Sequence, residues 1–92
     1  MRFSDLEFYP RNGGIQSIVE FGNYELSIIQ TEFSYGGTEG LYEIGVFKNG
    51  CLTEVEGVTD PDDSVKGFLT EDEVTGILLK MHSITGCEGA QI

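Results

Sequence analysis

The dipeptide Asn49-Gly50 places the tightest constraint on how this chain can fold. It stands between two runs rich in strand-forming residues, 41–48 and 51–56. Asn and Gly tolerate the positive φ angles of a type I′ turn, so this dipeptide is a strong signal for a two-residue β-hairpin. The turn also sets the register of the hairpin. The predicted cross-strand pairs are Lys48 with Cys51, Phe47 with Leu52, and Glu43 with Glu56.

A second hairpin is predicted upstream, between Ile15 and Thr31, with its turn at Gly22-Asn23. This turn places Glu20 directly opposite Glu25. It also sorts most apolar side chains to one face, which supports the register. The predicted inner face consists of Ile15, Val19, Phe21, Tyr24, Leu26 and Ile28 from this hairpin and Tyr42, Ile44, Val46, Cys51 and Val55 from the other.

A helix is predicted after Thr70. Thr70 and Glu73 have the spacing of a capping box, and Gly86 stands where a C-terminal cap is expected. The apolar residues at helical spacing are Val74, Ile77, Leu78, Met81 and Ile84. We expect this stripe to cover the inner face of the sheet. The predicted fold class is therefore α+β: an antiparallel sheet of two β-hairpins packed on one C-terminal helix, in two layers.

The length of 92 residues predicts a single domain spanning residues 1–92. Residues 1–13 are ambiguous. Their aromatic and aliphatic side chains need a packing site, either in an extra N-terminal edge strand that Pro10 would end, or over the outer face of the sheet. Residues 87–92 have no strand or helix pattern, and we expect a mobile tail there.

The net charge of −11, from 16 acidic and 5 basic residues, narrows the possible partners. It disfavours direct binding to nucleic acid, which requires Lys and Arg to neutralise phosphates. It favours a basic protein surface. No apolar run approaches the roughly 20 residues of a membrane span, and no signal peptide is visible. We therefore expect a cytoplasmic protein with reduced thiols at Cys51 and Cys87, although their spacing alone does not exclude a bridge.

No motif for metal binding or catalysis is complete. The acidic segment that begins at Asp60 has oxygen-bearing residues at several EF-hand positions, but Val65 stands where that loop needs glycine. His82 and the two cysteines lack the close ligand pairs of a zinc site. No nucleophile motif is present. We expect neither a metal nor a cofactor, and we do not expect an enzyme.

The outer face of the sheet is the predicted interaction surface. It combines an apolar strip with opposed glutamates, and like charges in opposed positions destabilise a sheet. We expect either a basic protein partner or a second copy of the chain, in a homodimer, to bind there. The candidate residues are Ile18, Glu20, Glu25, Ile29, Leu41, Glu43, Phe47, Leu52, Glu54 and Glu56, with loop contacts from Phe33 and Tyr35.

The sequence also resembles small uncharacterised proteins of tailed bacteriophages. The resemblance spans about residues 21–81 and consists of the segment Gly40-Leu41-Tyr42-Glu43 before a hairpin, and Gly67-Phe68-Leu69-Thr70 before an acidic capped helix. It implies a phage origin and a setting in the host cytoplasm. By analogy with small acidic phage proteins, it further implies a non-enzymatic inhibitor of a host nucleic-acid-handling or defence system.

Overall fold

The structure, a computed structural model, describes all residues from Met1 to Ile92. Its strands are β1 (Tyr9–Arg11), β2 (Gly14–Phe21), β3 (Tyr24–Thr31), β4 (Tyr42–Lys48), β5 (Cys51–Leu52), β6 (Val65–Leu69) and β7 (Ala90–Gln91), and its helix is α1 (Glu71–Thr85). Short 3-10 turns lie at Phe3–Asp5 and Gly37–Glu39. The α+β class, with one antiparallel sheet and one C-terminal helix, is confirmed.

Three long strands, β2, β3 and β4, form the centre of the sheet, and short strands complete both sides. On one side, β1 and β7 both pair with β2; on the other, β5 and β6 both pair with β4. All pairs are antiparallel. The exposed edges of the sheet are therefore short, which limits edge-to-edge association with other chains.

The register of the first hairpin is confirmed: Phe21 pairs with Tyr24, and Glu20 pairs with Glu25. In the second hairpin the pair of Phe47 with Leu52 is also confirmed.

The pairing of Glu43 with Glu56 is wrong, because β5 ends at Leu52 and β6 takes its place beside β4. The chain leaves the sheet because Val55 and Val58 turn into the core. A bond from the Val55 N–H to Thr59 Oγ1, at 3.0 Å, stabilises that turn. Cys51 was predicted on the inner face, but this short strand leaves it exposed.

Both caps of the helix are confirmed. Thr70 Oγ1 accepts the Glu73 N–H at 3.1 Å, and Glu73 Oε1 accepts the Thr70 N–H at 2.9 Å. Gly86 ends the helix with a φ of 71°. The predicted stripe is buried as far as Met81. Ile84 is 43% exposed, contrary to the prediction, and Met81 is the last residue of the helix that contacts the core.

The N-terminal segment packs on the inner side of the sheet. Phe3, Leu6 and Phe8 contact the core cluster, and the Phe3 N–H donates to Thr75 Oγ1 on α1 at 2.8 Å. The extra edge strand is confirmed as β1, although Pro10 lies inside it rather than ending it. An edge strand tolerates proline because one row of its N–H groups needs no partner. The alternative in which residues 1–13 cover the outer face is wrong.

The C-terminal segment is anchored, and the expectation of a mobile tail at residues 87–92 is wrong. Strand β7 pairs with β2 through Gln91 opposite Val19 and Ala90 opposite Glu20. The Ile92 N–H also donates to the Ile18 carbonyl at 2.9 Å. Because polar contacts hold β7 in place, the pattern of apolar residues in the sequence does not predict this strand.

Candidate interaction surface on the outer face of the sheet

The outer face of the sheet is the side opposite α1. Helix α1 and the N-terminal segment pack on the inner face, and an open hollow remains on the outer one. Alternation along the strands places Ile18 of β2, Ile29 of β3 and Phe47 of β4 on this outer side. All three are half-buried, while Leu52 of β5 is 56% exposed. The apolar strip predicted there is present and accessible.

An open hollow of about 470 Å³ lies over the middle of this face. It is called the outer-face hollow below. Its apolar lining comes from Ile18, Ile29, Phe47, Leu52 and Val65. Its polar lining comes from Arg11, Gln16, Glu25, Ser27 and Glu43, with Gly45 and Gly50 completing it. A second recess continues from it toward Phe33 and shares Arg11, Ile29 and Glu43. The two together form a groove across the strands.

The electrostatics of this groove are dominated by carboxylates. Glu25 and Glu43 line the hollow, and Glu20 stands directly opposite Glu25 on the same face. Arg11 is the one basic residue in the lining. Lys48 points to the other side, where its Nζ lies 5.3 Å from the centroid of the Tyr24 ring. A cation approaching the outer face therefore meets a net negative surface.

Six of the ten predicted sheet residues line the hollow, and Glu20 lies beside it. Leu41, Glu54 and Glu56 do not line it. Leu41 precedes β4 and lies against Gly36 in the preceding loop. Glu54 and Glu56 follow β5, where the chain has left the sheet, and line a separate recess. Glu54 Oε2 accepts the Asp62 N–H there at 2.7 Å.

The two predicted loop residues, Phe33 and Tyr35, are exposed by 81% and 59%. The loop is fixed to the outer face because Glu43 Oε1 accepts the Tyr35 N–H at 2.7 Å. The Tyr35 ring stacks on that of Phe68, with centroids 6.5 Å apart and planes inclined by 18°. An exposed aromatic cluster therefore borders the groove near Glu43.

Phe68 has an unusual backbone conformation. Its φ is +57°, and it lies in a β-bulge where β6 is out of step with β4. Positive φ is strained for a bulky residue, and bulges reorient side chains. In this conformation the Phe68 ring, 57% exposed, lies against Tyr35.

Arg11, Val65 and Phe68 contribute to this surface and escaped the sequence prediction. All three reach it through strands β1 and β6, whose pairing has no short-range signal. The alternation of the two predicted hairpins already places Gln16, Ser27 and Gly45 on the outer face, although they were not among the candidate residues.

The arrangement brings together no group of three or more His, Cys, Asp or Glu side chains able to hold a metal ion. In the acidic loop, Asp63 Oδ1 accepts the Ser64 N–H at 2.7 Å. Cys51 and Cys87 are free thiols. The helix α1 is too short and too polar to cross a membrane.

Comparison with protein-family models, with curated proteins and with solved structures finds no match to this chain.

Proposed function

We propose that this protein is a non-enzymatic interaction protein that binds a basic protein surface through the outer face of its sheet. The observation that supports the proposal is the outer-face hollow, which combines apolar walls with carboxylates and is covered by no element of the chain. Uncovered apolar surface with a polar surround is typical of interaction sites. The apolar walls would supply affinity, and the carboxylates would select the partner.

The charge of the face favours a basic partner over a second copy of the chain. In a homodimer through this face, Glu20, Glu25 and Glu43 of one copy would approach the same residues of the other. Like charges brought together at an interface oppose association, whereas a surface with Lys and Arg would be attracted. The overall charge of −11 acts in the same direction. Self-association remains the alternative that the experiment below distinguishes.

The resemblance to tailed-phage proteins extends the proposal to the setting. We infer that the partner belongs to a host cell and that binding inhibits it. Proteins that handle nucleic acid present Lys and Arg for phosphate contacts, so they offer the basic surface that this face would require. A host nuclease or defence complex is therefore the proposed class of target, and the protein would act in the host cytoplasm.

The double substitution Phe47→Ser with Leu52→Ser tests the proposal. It removes the two large apolar side chains that β4 and β5 contribute to the outer-face hollow, without changing a charge. Leu79→Ser is the matched control, because Leu79 is 52% exposed on α1, away from the outer face, compared with 56% for Leu52. Melting curves establish that each variant is folded.

The assay is capture of host-lysate proteins on each immobilised variant at about 0.1 M and about 1 M salt, together with analytical ultracentrifugation of the free protein. We expect a basic protein to be captured by the wild type and by Leu79→Ser at low salt, and to be lost at high salt or with the double variant. If the folded double variant captures every protein that the wild type captures, the outer face is not the binding site. Dimerisation that only the double variant abolishes would support the homodimer instead.

A further inference from the structure

Gly45 lies at the centre of the outer face, at a position where neither the backbone conformation nor the packing requires glycine. It pairs with Ser27 on β3 and with Val65 on β6. It is not among the residues with positive φ. A Cβ atom added there would lie 3.5 Å from Val65 Cγ1 and 3.8 Å from Leu52 Cδ2, which are ordinary contacts. Alanine would therefore fit. It would also stabilise the strand, because glycine weakens the interior of a strand.

The lack of a side chain at Gly45 deepens the outer-face hollow. Gly45 is buried and belongs to the lining of the hollow. Its neighbour across the strands, Ser27, is also small and accepts a hydrogen bond from the Gln16 amide at 2.9 Å, while the atom nearest to a Cβ added at Gly45 is Val65 Cγ1 at 3.5 Å. A β-branched residue at position 45 would project into this space. The absence of a side chain keeps open a slot for a group that belongs to another molecule.

The walls of the slot define the chemistry of that group. Ile29, Phe47 and Leu52 provide apolar surface. Glu25 precedes Ser27 by two residues on β3, and Glu43 precedes Gly45 by two on β4. Because the strands are antiparallel, these carboxylates lie on opposite sides of the Ser27–Gly45 pair. The slot is thus apolar along its sides with a carboxylate at each end. Arg11 lines the hollow and the neighbouring recess together with Glu43, which leaves the Glu25 end as the anionic one.

We propose that this slot accepts one arginine side chain of the partner; the inference rests on the proposed function of the outer face. The aliphatic stem of arginine would lie against the apolar walls, as long basic side chains do at surfaces. Its planar guanidinium would stack on the Phe47 ring and donate paired hydrogen bonds to Glu25, the cross-strand neighbour of Phe47. Arginine is less strongly hydrated than lysine, so it loses less on entering a partly buried slot.

A peptide titration tests this directly. The probe is the capped pentapeptide acetyl-Ala-Leu-Arg-Leu-Ala-amide. It is added to the wild-type protein up to about 10 mM, which is tenfold above a Kd of about 1 mM, and binding is followed by the amide chemical shifts of the protein. The control peptide has citrulline in place of arginine, which keeps the shape and removes the charge. We expect saturable shifts at Gly45 and Ser27 with arginine, and binding about tenfold or more weaker with citrulline. Equal binding of the two peptides, or no shift at these residues, would overturn the inference.

The substitution Gly45→Val provides a second and independent test. It should fill the slot, remove the shifts caused by the arginine peptide and abolish capture of the lysate partner. Gly76→Val, on the solvent side of α1 where an added Cβ meets nothing within 4 Å, is the control for adding the same side chain elsewhere. If Gly45→Val still captures the partner while Phe47→Ser with Leu52→Ser does not, the arginine slot is wrong and the interaction face stands. If neither variant affects capture, the proposed function fails as well.

Discussion

The substitution Gln91→Ala should destabilise the fold, although Gln91 is the penultimate residue of the chain. Its side-chain amide donates to Ser17 Oγ at 2.9 Å and to the Ile18 carbonyl at 3.0 Å, and its Oε1 accepts the Glu7 N–H at 2.9 Å. Ser17 has no exposed surface. Its hydroxyl lies on a core strand, and Gln91 is the one side chain to which it is bonded.

The expected magnitude follows from these contacts. An ordinary hydrogen bond contributes about 1 kcal/mol, but a buried polar group left without a partner costs about 1–3 kcal/mol. Water can replace Gln91 at the exposed Glu7 amide, so that bond adds little. We therefore expect Gln91→Ala to lower the free energy of unfolding by about 2–3 kcal/mol. Replacing both partners, with Ser17→Ala and Gln91→Leu together, should cost much less than the sum of the single changes.

Urea denaturation of the wild type, Ser17→Ala, Gln91→Leu and the double variant measures this coupling, with Gln91→Ala measured alongside. We expect an interaction energy of at least about 1 kcal/mol. Gln16→Ala is the control: its amide also bonds a serine, Ser27 at 2.9 Å, but on the accessible outer face. Its cost should stay below about 1 kcal/mol. Additive single effects, or a Gln91→Ala cost as small as the control, would refute a buried polar anchor for β7.

Four further predictions concern the helix and the bulge. Leu78→Ala should cost about 2–5 kcal/mol and Thr70→Ala about 1 kcal/mol in urea denaturation; a neutral Leu78→Ala would contradict its place in the core. The pKa of Glu73 lies below its ordinary value of 4.5 because of its hydrogen bonds with Thr70. The ionised Glu73 side chain therefore stabilises the fold fully above that value, and this stabilisation is lost as the pH falls through the lowered pKa. In urea denaturation at a series of pH values, Glu73→Gln should therefore show a smaller loss of unfolding free energy over this acidic range than the wild type. Phe68→Gly should change the free energy of unfolding by less than about 1 kcal/mol, because relief of the positive φ offsets the lost stack on Tyr35. A cost above about 2 kcal/mol would show that packing of the ring outweighs the backbone strain.

Local signals explain why the fold class could be predicted from the sequence. The turns at Gly22-Asn23 and Asn49-Gly50 each set a register through the φ angles of two residues. The capping box at Thr70 sets the start of the helix in the same way. These features need no knowledge of distant residues, and the structure confirms all of them.

The two largest errors have one physical origin, which is pairing between residues far apart in the chain. After Leu52 the alternating pattern still suggests a strand, but burial of Val55 and Val58 draws the chain into the core, and β6 pairs with β4 instead. Likewise, the anchoring of residues 87–92 depends on the polar contact between Gln91 and Ser17, which are 74 positions apart. No local pattern reports such contacts.

The candidate surface was predicted only in part, because some of its residues also depend on pairing between distant parts of the chain. Ile18, Ile29 and Phe47 reach the outer face through alternation on long strands, which a hairpin register determines. Glu54 and Glu56 were assigned to that face by extending the register past the end of β5. Arg11 and Val65 join it only through edge strands that the sequence does not align.

The distribution of unfavourable features over the molecule supports a function for the outer face. Inside the protein, every buried side-chain polar atom has a hydrogen-bond partner. On the outer face and its border, three features each reduce stability: the opposed pair Glu20–Glu25, the glycine at position 45, and the positive φ of Phe68. Substitutions that would relieve each of them are simple, and Gly45→Ala meets no clash. Departures from local stability are expected at functional sites, and these three lie around one uncovered hollow. A face that only had to be soluble would not need any of the three.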